Sequence, residues 1–266
     1  MDDWRSYDRV AEAYERIHAP RLAGPARDLA ALLRPGPGDR LLDVGTGTGV
    51  AAAAALEASG GGALVVGVDV SRAMLAVARG DRPGIRLVQA EVVDLPFPDA
   101  TFHGVLGNFV LSHVRRYETA LHDMVRVLRP GGRLAVSNWG PIEDDLDRTW
   151  RSLVEEVVPP AMLRSVLGEA VPWEQRFADR AALAEALGRA GLRRVRTEVR
   201  EYRFRYSLRE HLEGRATSST GRFVRGMLGE AAFGRFLERA RDAFSSRFAD
   251  PLTDFRQVVL AVGTKP

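Results

Sequence analysis

The stretch "RLLDVGTGTGVA", Arg40 to Ala51, constrains the fold of this 266-residue chain more than any other. A short apolar run ends in an acid, passes glycines at 45, 47 and 49, and opens into alanines. That is a strand feeding a helix through a turn suited to a nucleotide-like ligand. The rhythm then repeats without the glycines. "ALVVGVD" reads as a second strand, and "SRAMLAVAR" as its helix with Ser71 as N-cap. "IRLVQA" and "FHGVLGNF" are the third and fourth strands, and "RLAVSNW" is the fifth. The helix "ETALHDMVRVL" precedes that fifth strand, with Pro130 and Gly131 placed for a tight turn between them. Strands alternating with helices through short connections predict a mostly parallel sheet covered on both faces.

The flanks behave differently. From Asp3 to Leu33, apolar residues fall at helical spacing (Tyr7, Val10, Ala11, Tyr14, Ile17), and "RPGPGD" ends the pattern. Gly140 to Arg176 is polar and proline-punctuated, with two short helical patterns and no strand. "DRAALAEALGRAG" is a helix stopped at Gly191. In "RRVRTEVREYRFRY" the apolar parity switches after Val199, which demands either a bulge or an exposed half. Leu208 to Phe248 is helical again, and "FRQVVLAVGT" is a last strand.

Composition removes several function classes. The chain has no cysteine, so a disulfide framework, a thiolate nucleophile and a Cys-type zinc site are excluded. His18, His122 and His211 are scattered, and no His/Asp/Glu spacing matches a metal site. A serine hydrolase's G-x-S-x-G elbow is absent. Net charge is +3 with a pI near 9.6, yet the arginines lie beside acids along the whole chain, and Lys265 is the only lysine. No nucleic-acid partner is expected. "MDDWRSYDRV" lacks a signal-peptide core, no apolar run approaches membrane-spanning length, and a cytoplasmic protein is expected, as monomer or homodimer.

The glycine spacing separates two kinds of ligand. A dinucleotide fingerprint wants G-x-G-x-x-G with a pyrophosphate on the helix N-terminus. Counted from Gly45, its third glycine position is Val50. Asp43 ends the first strand two residues before Gly45, a poor neighbour for a pyrophosphate and a good one for a cation.

"LLDVGTGTG" resembles the acid-x-Gly-x-Gly-x-Gly signature of class I S-adenosylmethionine-dependent methyltransferases. "VVGVDVSRAML", "LPFPDATF", "LSHV" and "VLRPGGRL" continue the likeness and resemble the ubiquinone/menaquinone-biosynthesis branch, from about Val10 to Asn138. The resemblance implies an α/β, Rossmann-like, seven-stranded class I methyltransferase sheet whose last strand runs antiparallel beside the fifth. It implies one domain over 1–266, with a helical lid at 1–33 and helical caps at 140–176 and 208–248 over the acceptor.

S-adenosylmethionine is the cofactor it implies. Gly45 and Gly47 would let the backbone pass beneath the methionine and ribose portions. Asp69, 24 residues after Gly45, would accept the ribose hydroxyls, as an acid there also would in an NAD enzyme. Glu91, where the family usually has Asp, would accept the adenine amine beside the Val92 amide, with Val70 and Met74 against the ring. Asn108 leaves the fourth strand near the methionine amine, and Tyr14, less surely Tyr7, would reach the same end from the lid. His103 stands where the family tends to have Asp, at the start of the fourth strand and away from the cofactor.

Methyl transfer from a sulfonium needs positioning more than acid–base chemistry, so no catalytic residue is assigned. His113 is a weak candidate base, more in keeping with packing or orientation, and Trp139 either lines the acceptor pocket or is core. A small, fairly apolar acceptor is expected, of secondary-metabolite or quinone type. Two alternatives stand: a lyase or cyclase of the same fold and cofactor, and, less favoured, an NAD-dependent oxidoreductase.

Overall fold

A computed structural model describes residues 6–266. The expected helical start at Asp3 lies outside the described residues; from there the chain forms a 3-10 turn at Asp8–Val10, then α1 (Ala11–Ile17) and α2 (Ala19–Leu33). The alternating segment is β1 (Arg40–Val44), α3 (Val50–Ala58), β2 (Leu64–Asp69), α4 (Arg72–Asp81), β3 (Arg86–Gln89) and β4 (Phe102–Asn108). It continues through a 3-10 turn at Leu111–His113, α5 (Tyr117–Val127) and β5 (Leu128–Trp139). Then come α6 (Asp145–Glu155), α7 (Pro160–Ala170), α8 (Glu174–Phe177) and α9 (Arg180–Arg189). The chain closes with β6 (Arg193–Tyr206), α10 (Leu208–Thr217), α11 (Ser219–Leu228), α12 (Glu230–Arg247) and β7 (Leu252–Thr264).

The seven strands lie in the order β3-β2-β1-β4-β5-β7-β6, parallel except for β7, which is antiparallel to both β5 and β6. This is the sheet the sequence implied. Four of the five residues of β1 are buried, as a central parallel strand covered on both faces requires. One apolar core lies between the sheet and α5 and α9, around Met124, Leu121 and Leu187. The other lies under α2 and α3, where Ala51, Ala52 and Ala55 allow close approach. Among the described residues no helix is long and apolar enough to cross a membrane.

Three expectations are refined. "RPGG" is no free turn before β5: Phe102 pairs with Leu128 and Gly104 with Arg133, so the intervening residues bulge out of one long strand. Gly140 to Arg176 holds three helices where two were expected. The parity switch in β6 is an exposed half, since pairing with β7 runs unbroken from Arg196 to Tyr206. As an edge strand, β6 leaves Val199 exposed, while Tyr202 turns to α2 and donates a 2.5 Å hydrogen bond to Asp28.

The segments 140–176 and 208–248 share one apolar core of their own. Leu146, Trp150 and Val154 of α6 pack with Phe233, Phe236 and Phe244 of α12. Two stretches outside the region of likeness thus form one helical layer.

Candidate active site

The glycine loop is built by collisions avoided. Gly45, Gly47 and Gly49 all have positive φ (+67°, +55° and +91°), where residues with a Cβ are strained. A Cβ on Gly45 would stand 2.4 Å from Val110 Cγ2, whereas one on Gly47 would meet nothing within 4 Å. Gly45 is therefore needed for packing, and Gly47 lines open space. The Thr46 amide donates to Val68 O (2.9 Å), tying the loop to β2.

Two acids brace the loop from opposite sides. Asp43 is fully buried and accepts the Thr46 hydroxyl at 2.7 Å. Burial pushes its pKa up to about 7, against the pull of the Thr46 bond. Its other oxygen, Oδ1, is buried without a hydrogen-bond partner among the described residues. Asp69 accepts the Gly47 amide on Oδ2 (2.8 Å) and the Ser71 amide on Oδ1 (2.9 Å). Each oxygen keeps lone-pair capacity for another donor. Desolvation raises its pKa, and the backbone bonds oppose that rise.

Beyond Asp69, Val70 is 64% exposed, an unusual state for valine at the end of a central strand. Met74, in the first turn of α4, is buried, and its amide donates to the Ser71 hydroxyl that caps the helix (3.2 Å). Glu91 is exposed, with Val92 partly buried beside it.

At the end of β4 the Ser137 hydroxyl donates to Asn108 Oδ1 (2.7 Å) and accepts the Phe109 amide (3.0 Å). This holds Phe109 at φ +58°, a strained setting for a bulky residue. Ser137 gave no signal in the sequence. Trp139 stacks on Phe109 with ring centroids 4.2 Å apart and joins the core under α2, so its contacts are those of a core residue.

The N-terminal segment lies across this edge. Tyr14 and Leu22 join Gly45, Gly47 and Asn108 around one small cleft. Desolvation raises the Tyr14 pKa, so its hydroxyl stays protonated. Asp8 Oδ1 accepts the Ser71 hydroxyl (2.6 Å) and the Ala73 amide (3.2 Å). Glu15 pairs with Arg82 (2.8 Å), which also donates to Thr48 O (2.7 Å).

His113 sits on the 3-10 turn with Nδ1 3.2 Å from Ala170 O, a group that only accepts, so Nδ1 carries the proton and Nε2 is left as an acceptor. Loss of bulk water around the ring lowers its pKa; the Ala170 bond opposes this, and the Arg222 cation adds to it. Tyr7 packs edge-on to both Tyr14 (5.9 Å) and His113 (6.2 Å), with the Arg222 guanidinium 4.5 Å from its ring centre.

Two of the histidines that look scattered in sequence, His18 and His211, converge between the N-terminal helices and the helical layer, while His122 is exposed on α5. His18 Nε2 lies 3.0 Å from Thr217 Oγ1, and burial with Arg21, Arg215 and Arg222 pushes its pKa down to about 3. His211 is pushed to about 2 by burial and the Arg215 cation. Asp147 pairs with both Arg215 (2.5 Å) and Arg256, joining α6, α10 and β7. No His/Asp/Glu group among the described residues is arranged to hold a metal ion.

The arrangement fits S-adenosylmethionine. Gly47 leaves room for close approach, and the ionisable groups at the loop, Asp43 and Asp69, are acids suited to a ligand with cationic and hydroxyl groups and no phosphate. Residues 42–136 match the family model described as a methyltransferase domain. The chain is 32% identical over 202 residues to a demethylmenaquinone methyltransferase of Clavibacter sepedonicus, covering 71% of this chain and 81% of that one. Among solved structures it resembles a putative methyltransferase of Bacillus halodurans (TM-score 0.56, 18% identity, 91% of this chain and 98% of that one). It also resembles phosphoethanolamine N-methyltransferase 2 of Haemonchus contortus in complex with S-adenosyl-L-methionine (TM-score 0.58, 17% identity, 100% of this chain and 60% of that one). Signature loop, sheet order and relatives agree: the chain belongs to the class I S-adenosylmethionine-dependent methyltransferases, in their menaquinone/ubiquinone-biosynthesis-like branch.

Proposed function

We propose that this S-adenosylmethionine-dependent methyltransferase acts on a small hydroxyaromatic acceptor of quinol type, with a largely apolar body. One aromatic group carries this reading. Tyr14 lines the cleft beside the glycine loop, and Tyr7, with Arg222 over its ring, packs edge-on to both Tyr14 and His113. Such a surface is suited to a flat ring bearing a polar substituent. The likeness to a demethylmenaquinone methyltransferase supports the same class.

In this reading residues up to Leu33 form a lid, and the layer of α6–α8 and α10–α12 caps the acceptor. Asp69 takes the ribose hydroxyls, and Gly45 and Gly47 pass beneath the methionine and ribose. Glu91 and the Val92 amide meet the adenine edge, and Val70 covers the ring. Asn108 and Tyr14 stand at the methionine end. Asp43 acts from below through charge. S-adenosylmethionine supplies a methyl group already activated for displacement, so orientation and exclusion of water are the protein's main contribution, a gain of about 7–11 kcal/mol in well-oriented reactions.

The test is incubation with isotopically labelled S-adenosylmethionine and reduced 1,4-naphthoquinones lacking a ring methyl. Formation of S-adenosylhomocysteine together with a ring-methylated product is expected. Product-free S-adenosylhomocysteine binding, with no transfer to any hydroxyaromatic ring, would remove the acceptor assignment and favour a non-transfer reaction.

A further inference from the structure

The fold sets Glu174 where the carboxyl ends of the strands meet the helical layer. The segment from Ala170 to Glu174 is bound along the carboxyl ends of the strands at three points. Ala170 O meets His113 Nδ1 (3.2 Å), the Trp173 amide donates to Ser112 O (3.4 Å), and Asn138 Nδ2 at the end of β5 donates to Glu174 O (3.2 Å). The Trp173 indole adds a bond to Arg115 O (3.1 Å). Backbone anchored this closely fixes where the Glu174 side chain starts.

The carboxyl group itself is uncommitted. It is partly buried and has no hydrogen bond or ion pair among the described residues. A half-buried carboxylate normally finds a partner, because burying it without one costs free energy. Neighbouring acids show the contrast: Asp147 holds two arginines, and Asp254 accepts the Tyr206 hydroxyl at 2.7 Å. The charged groups that act on Glu174 are Arg256 of β7 and Asp147 of α6. Arg256 is already engaged by Asp147. Desolvation raises the Glu174 pKa; Arg256 opposes that rise and Asp147 adds to it. An enclosed carboxyl group kept basic and unpaired at the strand ends is suited to proton transfer.

We propose that Glu174 is a catalytic residue of the transfer, the group that accepts the proton of the acceptor's ring hydroxyl. In that step the hydroxyl O–H bond breaks and its electron pair stays on the acceptor, enriching the ring that takes the methyl group. The new O–H bond forms on Glu174. The ring carbon then takes the methyl group from the sulfonium sulfur, which keeps the pair of the broken S–C bond. That carbon's own hydrogen leaves as a proton to solvent, and Glu174 returns its proton to the ring oxygen. His113, held through Ala170, orients the same segment and is a positioning residue. This rests on the hydroxyaromatic acceptor proposed above.

The test is binding of 1-naphthol to the protein–S-adenosylhomocysteine complex across acid to neutral pH, in the parent, E174Q and E174D. In the parent, affinity falls as Glu174 protonates, approaching about tenfold per pH unit on the acid side. E174Q loses that limb while keeping S-adenosylhomocysteine affinity and melting temperature, and E174D restores it. With a turned-over naphthohydroquinone, E174Q lowers kcat/KM by about 10²–10⁴-fold. An acid limb that survives in E174Q overturns Glu174 alone and leaves the acceptor class standing. Failure of the parent complex to bind 1-naphthol overturns both.

Discussion

Asp8 Oδ1 accepts the Ser71 hydroxyl at 2.6 Å across 63 residues of chain, fastening the N-terminal segment to the first turn of α4 beside Asp69. The Ala73 amide shares the same oxygen at 3.2 Å. The Ser71 bond, ahead of the Ala73 bond, lowers the Asp8 pKa, so the latch is ionised at neutral pH. Asp8→Ala should release the lid without unfolding the sheet. Stopped-flow displacement should show faster S-adenosylmethionine dissociation, with about 1 kcal/mol lost in affinity. An unchanged off-rate would mean the contact does not restrain the ligand.

Asp69 joins the glycine loop to α4 through its bonds to Gly47 and Ser71. Asp69→Ala is expected to weaken S-adenosylmethionine binding by about 1.5–3 kcal/mol, the range for hydrogen bonds to a charged group. Calorimetry on the folded variant measures this. Retained affinity removes the ribose assignment.

Asp43 makes the cofactor-free protein pH-dependent in a defined direction. Its folded-state pKa of about 7 lies above the ordinary 3.8, so between those values the folded protein holds a proton that the unfolded chain has released. Its contribution to stability therefore declines as pH rises from about 4 to 7 and is level above, with an upper bound of roughly 4 kcal/mol. Asp43→Asn keeps an acceptor for Thr46 and should flatten that decline in denaturant titrations at several pH values. Cationic S-adenosylmethionine favours the ionised carboxylate, so its affinity for the parent should rise with pH up to about 7 and lose that dependence in the variant.

Glu91 is exposed and has the least support from neighbouring structure. If it meets the adenine amine, Glu91→Gln loses about 1 kcal/mol of cofactor affinity and Glu91→Asp loses little. Normal binding by Glu91→Ala would instead leave the adenine to the Val92 amide and apolar contacts.

His113 is expected to be dispensable as a base. Its lowered pKa keeps the ring neutral, and its Nδ1 bond ties down Ala170. His113→Ala should cost roughly 1–2 kcal/mol of stability and change kcat modestly, with the acid limb of the pH profile in place. Collapse of the rate at constant melting temperature, with loss of that limb, would make His113 the base.

The sheet was legible from sequence because its signals are local and periodic. Apolar runs of strand length, glycines at 45, 47 and 49, and the cap at Ser71 each act within a few residues, and they appear as β1, the loop and α4. Asp43 and Asp69 were visible for the same reason, as acids at predicted strand ends. What spacing could not tell was which side of the backbone each residue takes where helix and strand meet the core. Met74 is accordingly enclosed at the start of α4, and Trp139 rests partly buried against the core under α2.

Tertiary structure decided the helical layer, the Asp8–Ser71 contact and the aromatic group of Tyr7, Tyr14 and His113. Ser137 reaches Asn108 across neighbouring strands, His18 meets Thr217 from 199 residues away, and Ala170 to Glu174 is fixed by residues of the strand-four turn and β5. None of these partners lies within one turn or one strand of the other, so no periodicity announces them. A half-buried carboxyl group such as Glu174 differs from a solvated one only by what surrounds it. Sequence by itself determined the sheet and the cofactor loop, where the free energy is local and repetitive. Burial and long-range pairing, which exist only once the chain has closed on itself, determined which polar groups are left free to do chemistry.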